Sequence, residues 1–171
     1  LTAIQFNNVL PNPLKDLVYE SQIWRKGIEL KSKGKYLIMA DSGRGKSTFL
    51  NILYGIRKDF TGIVTVDNKD ILSLSDADIS KLRTGYFAYL FQDLRLFGSI
   101  TAKENILLKP GCKFNPQEIE IYAQKLGVEQ FLNKKCNTLS LGQQQRISLL
   151  RALSQPFKWL LLDEPFSHVD K

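Results

Sequence analysis

Long apolar runs are missing: no stretch approaches the ~18–20 residues that a membrane-crossing helix needs. No leader-peptide pattern is visible either. Cysteine is scarce, with only Cys112 and Cys136 and no metal-ligand spacing around them. That argues against a disulfide scaffold or a zinc site and predicts reduced thiols in a cytoplasmic compartment. Histidine is represented by His168 alone. Internal repeats, low-complexity tracts and an obvious linker are also absent. The formal net charge is +7, but Lys and Arg are scattered and do not interleave with aromatics as in a single-strand or RNA binder. Nucleic acid is therefore not expected as a partner. The excess charge reads as a solvated surface, part of it facing a bound anion.

What is present centres on Ala40-Asp41-Ser42-Gly43-Arg44-Gly45-Lys46-Ser47-Thr48. The run Tyr36-Leu37-Ile38-Met39 before it reads as a strand, and Phe49-Leu50-Asn51-Ile52-Leu53 after it reads as a helix. Strand, glycine loop, Lys-Ser and helix make a phosphate-binding loop. Glycines let the backbone curl so that its N–H groups point inward at phosphate oxygens, and the helix dipole adds to that field. Lys46 is expected on the β- and γ-phosphates, and the Ser47 hydroxyl on Mg²⁺. Ala40 stands where the strict pattern has Gly. It fits there with a negative φ.

In chain order, Ile4-Gln5-Phe6 leading to Val9 predicts a strand broken by Pro11 and Pro13. Ile28-Glu29-Leu30 predicts another, and residues 31–35 a turn. Gly55 closes the loop helix, and Gly62 opens a strand at Ile63-Val64-Thr65-Val66. Asp67-Asn68-Lys69-Asp70 lacks the Asn-Lys-x-Asp spacing of a guanine site and reads as a hairpin tip. Ser75 caps a helix through Leu82, and residues 86–91 form a buried strand ending at Gln92. From about Asp93 to Leu153 the pattern is mainly helical. Three N-termini carry caps there: Thr101 with Glu104, Asn115 with Pro116 and Glu118, and Ser140 with Gln143. Pro156 ends the last helix. Trp159-Leu160-Leu161-Leu162 is apolar on both faces, like a central parallel strand, and delivers Asp163 and Glu164 at its carboxyl end.

In this order the motifs resemble the nucleotide-binding subunit of an ABC (ATP-binding cassette) transporter. Residues 40–48 resemble Walker A, Gln92 the Q-loop glutamine, and Leu139-Ser140-Leu141-Gly142-Gln143 the signature. Residues 160–164 resemble Walker B, and Ser167-His168-Val169-Asp170 the D-loop. Residues 73–83 and 91–105 are similar to the branch serving lipoprotein release, macrolide export and cell division. Leu141 and His168 depart from the family's small residues. The family's switch histidine lies beyond the D-loop, so the resemblance implies that a C-terminal part follows Lys171.

The implied fold is α/β, a P-loop NTPase with a mostly parallel core sheet, an N-terminal antiparallel β subdomain and a helical signature subdomain. The implied domain is single: residues 1–92 and 155–171 form the core with the β subdomain, and residues 93–154 the helical part. The implied reaction is Mg²⁺-dependent hydrolysis of ATP, with Glu164 as general base. Ser42, Gly43, Arg44, Gly45, Lys46, Ser47 and Thr48 would hold ATP, with Tyr19 stacking on adenine. Ser140, Gly142 and Gln143 would meet the γ-phosphate of a second protomer. Ser47, Gln92 and Asp163 would hold Mg²⁺, and Lys46 and Gln92 would assist catalysis. Arg146 and Arg151 are expected to tie the signature helix to the core. Helices around residues 93–108 would receive a permease's coupling helix. Partners would thus be integral-membrane permease subunits and a second copy or homologous ATPase, at the inner face of the cell membrane. Two alternatives stand beside this: a nucleotide-gated interaction module with slow turnover, and a soluble, non-transport ABC ATPase.

Overall fold

The computed structural model describes residues 3–16 and 20–167. Two compact units divide at residues 82 and 83. In the first, β1 (Ala3–Pro11), β2 (Gly27–Lys31), β3 (Phe60–Val66) and β4 (Lys69–Asp70) form an antiparallel sheet in the order β2-β1-β3-β4. Ile4, Phe6 and Val9 are fully buried. Buried positions alternate up to Phe6 and then skip Asn7 and Asn8 to Val9, because the β1–β3 register shifts between Asn7 and Leu10. Asn8 takes φ 51° at this bulge.

Gly62 faces the bulge from inside β3, with φ 87°. It does not open the strand, which starts at Phe60. A Cβ at Gly62 would press into the backbone carbonyl of Asn8, so the close approach requires glycine. The hairpin tip is as expected. Asp67 and Asn68 take φ 49° and 64°, the two left-handed residues of a type I′ turn, and Val66 pairs with Lys69 across it.

Helix α1 (Lys46–Leu53) lays Phe49, Ile52 and Leu53 into the core of this unit. The Phe49 ring stacks on Phe6 at 4.4 Å between centroids, and Trp24 meets its edge at 6.2 Å. Such pairs contribute about 0.5–1.5 kcal/mol beyond burial. They fix where the helix begins.

The expected strand at residues 36–39 is a correction. No strand forms there, and Leu37 and Met39 are 84% and 82% exposed. A strand exists through its partner's backbone groups, and among the described residues none pairs with this run. The Tyr36 hydroxyl instead folds back on β2, accepting from Lys31 N at 2.7 Å.

Helix α2 (Asp76–Gly85) contains the division between the units and runs three residues past the expected Leu82. In the second unit, β5 (Phe87–Leu90) pairs in parallel with β6 (Trp159–Leu162), Leu90 opposite Leu162. Three helices accompany them: α3 (Ala102–Leu107), α4 (Pro116–Lys125) and α5 (Leu141–Leu153). All three carry reciprocal capping boxes, at Thr101/Glu104, Asn115/Glu118 and Ser140/Gln143. Residues 93–101 are not helical, which narrows the helix expected over 93–108 to α3. Ile106, Ile119, Ala123, Ile147 and Leu150 pack into one fully buried cluster. Cys112 and Cys136 are free thiols, and burial pushes Cys136 above the usual thiol range.

Candidate functional site

The two units present separate sets of functional groups. In the first, the Trp24 indole donates to Arg44 O at 3.3 Å and so ties the loop before α1 to its surroundings. Gly45 is the N-cap of α1 at φ 92°, and a Cβ there would come within 2.7 Å of Leu14 Cδ1. Gly43, at φ 76°, has no atom within 4 Å of where a Cβ would sit. One glycine is thus demanded by packing behind the loop, and the other borders open space on its outer side. Lys46 curls back along the loop, donating to Ala40 O at 2.8 Å and Asp41 O at 3.2 Å. The first turn of α1, which includes Ser47 and Thr48, holds no acid, and no side chain caps it. Backbone N–H groups, a lysine and an open glycine suit an anion with several oxygens. Ser42, Gly43 and Asp41 are exposed. Tyr19 lies outside the described residues.

In the second unit, parallel pairing carries the ends of β5 and β6 side by side, and Asp163 N donates to Leu90 O at 3.0 Å. Asp163 is 5% exposed, and the Tyr89 hydroxyl donates to its Oδ2 at 3.4 Å. Burial, and then the negative charge of Asp163, hold the Tyr89 phenol above its usual range, so it remains a donor. Glu164 points to solvent. Gln92 Nε2 donates to its Oε2 at 3.2 Å. Gln92, Asp163 and Glu164 are therefore brought together. Ser47, the third residue expected on Mg²⁺, belongs to the first unit. A hydroxyl, an amide and a carboxylate are hard oxygen donors of the kind Mg²⁺ takes.

Ser140 Oγ accepts from Gln143 N at 3.3 Å while Gln143 Oε1 accepts from Ser140 N at 2.9 Å. Gly142 follows Leu141, which is 58% exposed at the first position of α5. Arg146 donates to Leu126 O, and Arg151 to Leu94 O and Arg95 O. His168, Val169 and Asp170 lie outside the described residues. Sequence reasoning did not single out Tyr89, Gln145 or Ser148. The available signal was polarity at buried helical or strand positions, where a hydrogen-bond partner is obligatory.

Residues 26–167 match the family described as ABC transporter. The chain is 34% identical over 157 residues to the thiamine import ATP-binding protein ThiQ of Vibrio vulnificus (strain YJ016), covering 89% of this chain and 64% of that protein. It is 36% identical over 138 residues to the macrolide export ATP-binding/permease protein MacB of Aggregatibacter actinomycetemcomitans, covering 78% of this chain and 21% of that protein. It spans 32% of the length of the MG065 homolog of Mycoplasma pneumoniae. The dimeric structure of MJ0796, a bacterial ABC transporter cassette, superposes with a TM-score of 0.81 at 30% identity, covering 98% of this chain and 76% of that one. Among the described residues, no helix is long and apolar enough to cross a membrane.

Proposed function

The chain belongs to the ABC transporter family, and from that membership we propose that it binds ATP and hydrolyses it to drive a membrane permease. The observation that carries the reading is the β5–β6 register, which holds Gln92 against Glu164 beside buried Asp163. The loop at residues 42–48 binds the triphosphate through backbone N–H groups and Lys46. Ser47, Gln92 and Asp163 would hold Mg²⁺, which when bound would supply positive charge against the phosphates. Glu164 takes a proton from water as its oxygen attacks the γ-phosphorus and the bond to the ADP oxygen breaks. Residues 93–154 form the helical part of a single ATPase domain, with residues 1–92 and 155–171 as its core and β subdomain.

Two copies, or one copy and a homologue, close around ATP, with Ser140, Gly142 and Gln143 of one facing the γ-phosphate held by the other. The dimeric state of MJ0796 supports this. The similarity to the ATP-binding/permease protein MacB supports a membrane partner, which would hold this protein at the inner face of the cell membrane.

Replacing Glu164 by Gln tests both parts. Turnover should fall by more than about a hundredfold with ATP binding kept. Sedimentation with ATP should then show a dimer; a monomer would refute the two-copy arrangement, and unchanged turnover the role of Glu164. Co-purification from native membranes identifies the permease.

A further inference from the structure

Resting on that hydrolytic reading, we infer that Gln145, Ser148 and Arg151 are positioning residues that set the geometry between Gln92 and Glu164. They recur every third residue on α5, and all three have the same kind of partner. Each donates to the backbone carbonyl of a residue whose φ is positive although it is not glycine. Gln145 Nε2 reaches Glu164 O at 3.3 Å, where φ is 49°. Ser148 Oγ and Arg151 Nη2 both reach Leu94 O at 2.8 Å, where φ is 57°. Arg151 Nη1 reaches Arg95 O at 2.7 Å, where φ is 50°.

Left-handed leucine, arginine and glutamate are strained and persist only where the surroundings over-determine them. Here the surroundings are one side of one helix. Gln145 and Ser148 are 3% and 2% exposed, so their bonds are shielded from competing water. The Glu164 turn is further closed by Ser167, whose N and Oγ donate to the same carbonyl at 3.2 and 3.0 Å. The other turn is braced by the Arg95 guanidinium, 3.8 Å above the Phe91 ring, which flanks Gln92. By contrast the Gln92 and Glu164 side chains are exposed, and a hydrogen bond in water orders little. Their relative placement therefore comes from the two backbones that α5 pins. A polar residue on the buried side of a helix otherwise has no packing advantage over leucine. Three in register, each donating to a strained carbonyl, are explained by what those turns carry.

The test uses the full-length protein bearing Gln145→Leu, Ser148→Ala or Arg151→Lys. Leu150→Ala serves as a control that weakens the same helix from its apolar side. Two readouts are taken: kcat beside the Kd for ATP, and the NMR resonance of the Gln92 side-chain amide, with Glu164→Ala marking the unpaired position. Gln145→Leu should lower kcat about tenfold and leave the ATP Kd within about twofold. It should also move the Gln92 amide toward its position in Glu164→Ala. Arg151→Lys should retain part of the effect, and Ser148→Ala should shift the amide if Gln145→Leu does not fold. An unmoved amide, or a Leu150→Ala protein showing the same split, would overturn the inference. Should Glu164→Gln leave turnover intact, the hydrolytic reading falls. The amide resonance alone then decides the positioning, a shift sustaining it and no shift refuting it.

Discussion

The N-termini of α1 and α5 are both candidate anion sites, and they are built in opposite ways. Gly45 caps α1 with no side chain, and the first turn carries no acid. Ser140 and Gln143 close α5 with two reciprocal hydrogen bonds. Their C-termini differ as well, since α5 ends with Arg151 in its last turn and α1 with no base. The lesson is that a helix dipole alone does not mark a ligand site. At α1 no side chain caps the end groups, and Gly43 in the loop before them borders open space. At α5 the N–H groups of Ser140 and Gln143 are satisfied within the capping box, so a phosphate arriving there must compete for those two.

Mutations at the two ends should therefore act on different quantities. The largest effect is expected for Lys46→Ala, which removes a charge-assisted contact and should weaken ATP binding by about 10- to 100-fold in calorimetry. Unchanged affinity would break the comparison at its α1 side. The two glycines of the loop should separate next. Gly45→Ala should destabilise by more than ~2 kcal/mol in urea unfolding, from positive φ together with a clash against Leu14. Gly43→Ala should cost only about 1–2 kcal/mol, since its surroundings are open, yet should impair ATP binding. Ser140→Ala should cost about 1 kcal/mol of stability and leave ATP affinity of the monomer unchanged. The smallest effect concerns the last turn of α5. Burial, and then repulsion from Arg151, push the Lys109 amine down from 10.5 to about 8. Between those values the unfolded chain holds more protons, so stability rises with pH across that window and is lowest below 8. Relative to Lys109→Met, the Tm should climb by roughly 1–3 °C from pH 8 to 10. A flat difference would remove Lys109 from the account.

Caps were legible because their signals are local. Thr101/Glu104, Asn115/Glu118 and Ser140/Gln143 each appear as spacings of three, and all three form. The runs Tyr36-Leu37-Ile38-Met39 and Trp159-Leu160-Leu161-Leu162 looked alike and diverged, because a strand's existence depends on a partner that its own letters do not specify. Gly62 was misread for the same reason: the bulge that needs it is made by Asn8, more than fifty residues away. In the candidate site, glycine spacing and the acidic pair stood out as motifs. Left-handed Leu94, Arg95 and Glu164 gave no such signal, since none is a residue type that announces positive φ. Their conformations follow from donors on α5, which only the folded arrangement brings near.

The pairing of Leu90 with Leu162 has one more implication. Neighbouring residues of a strand point to opposite sides, so Asp163, the first residue past β6, owes its inside station to a count of residues along that strand, whereas Glu164 owes its outside one to the left-handed turn that follows. Deleting a single leucine from β6 would keep its composition almost intact while turning Asp163 away from the Tyr89 hydroxyl.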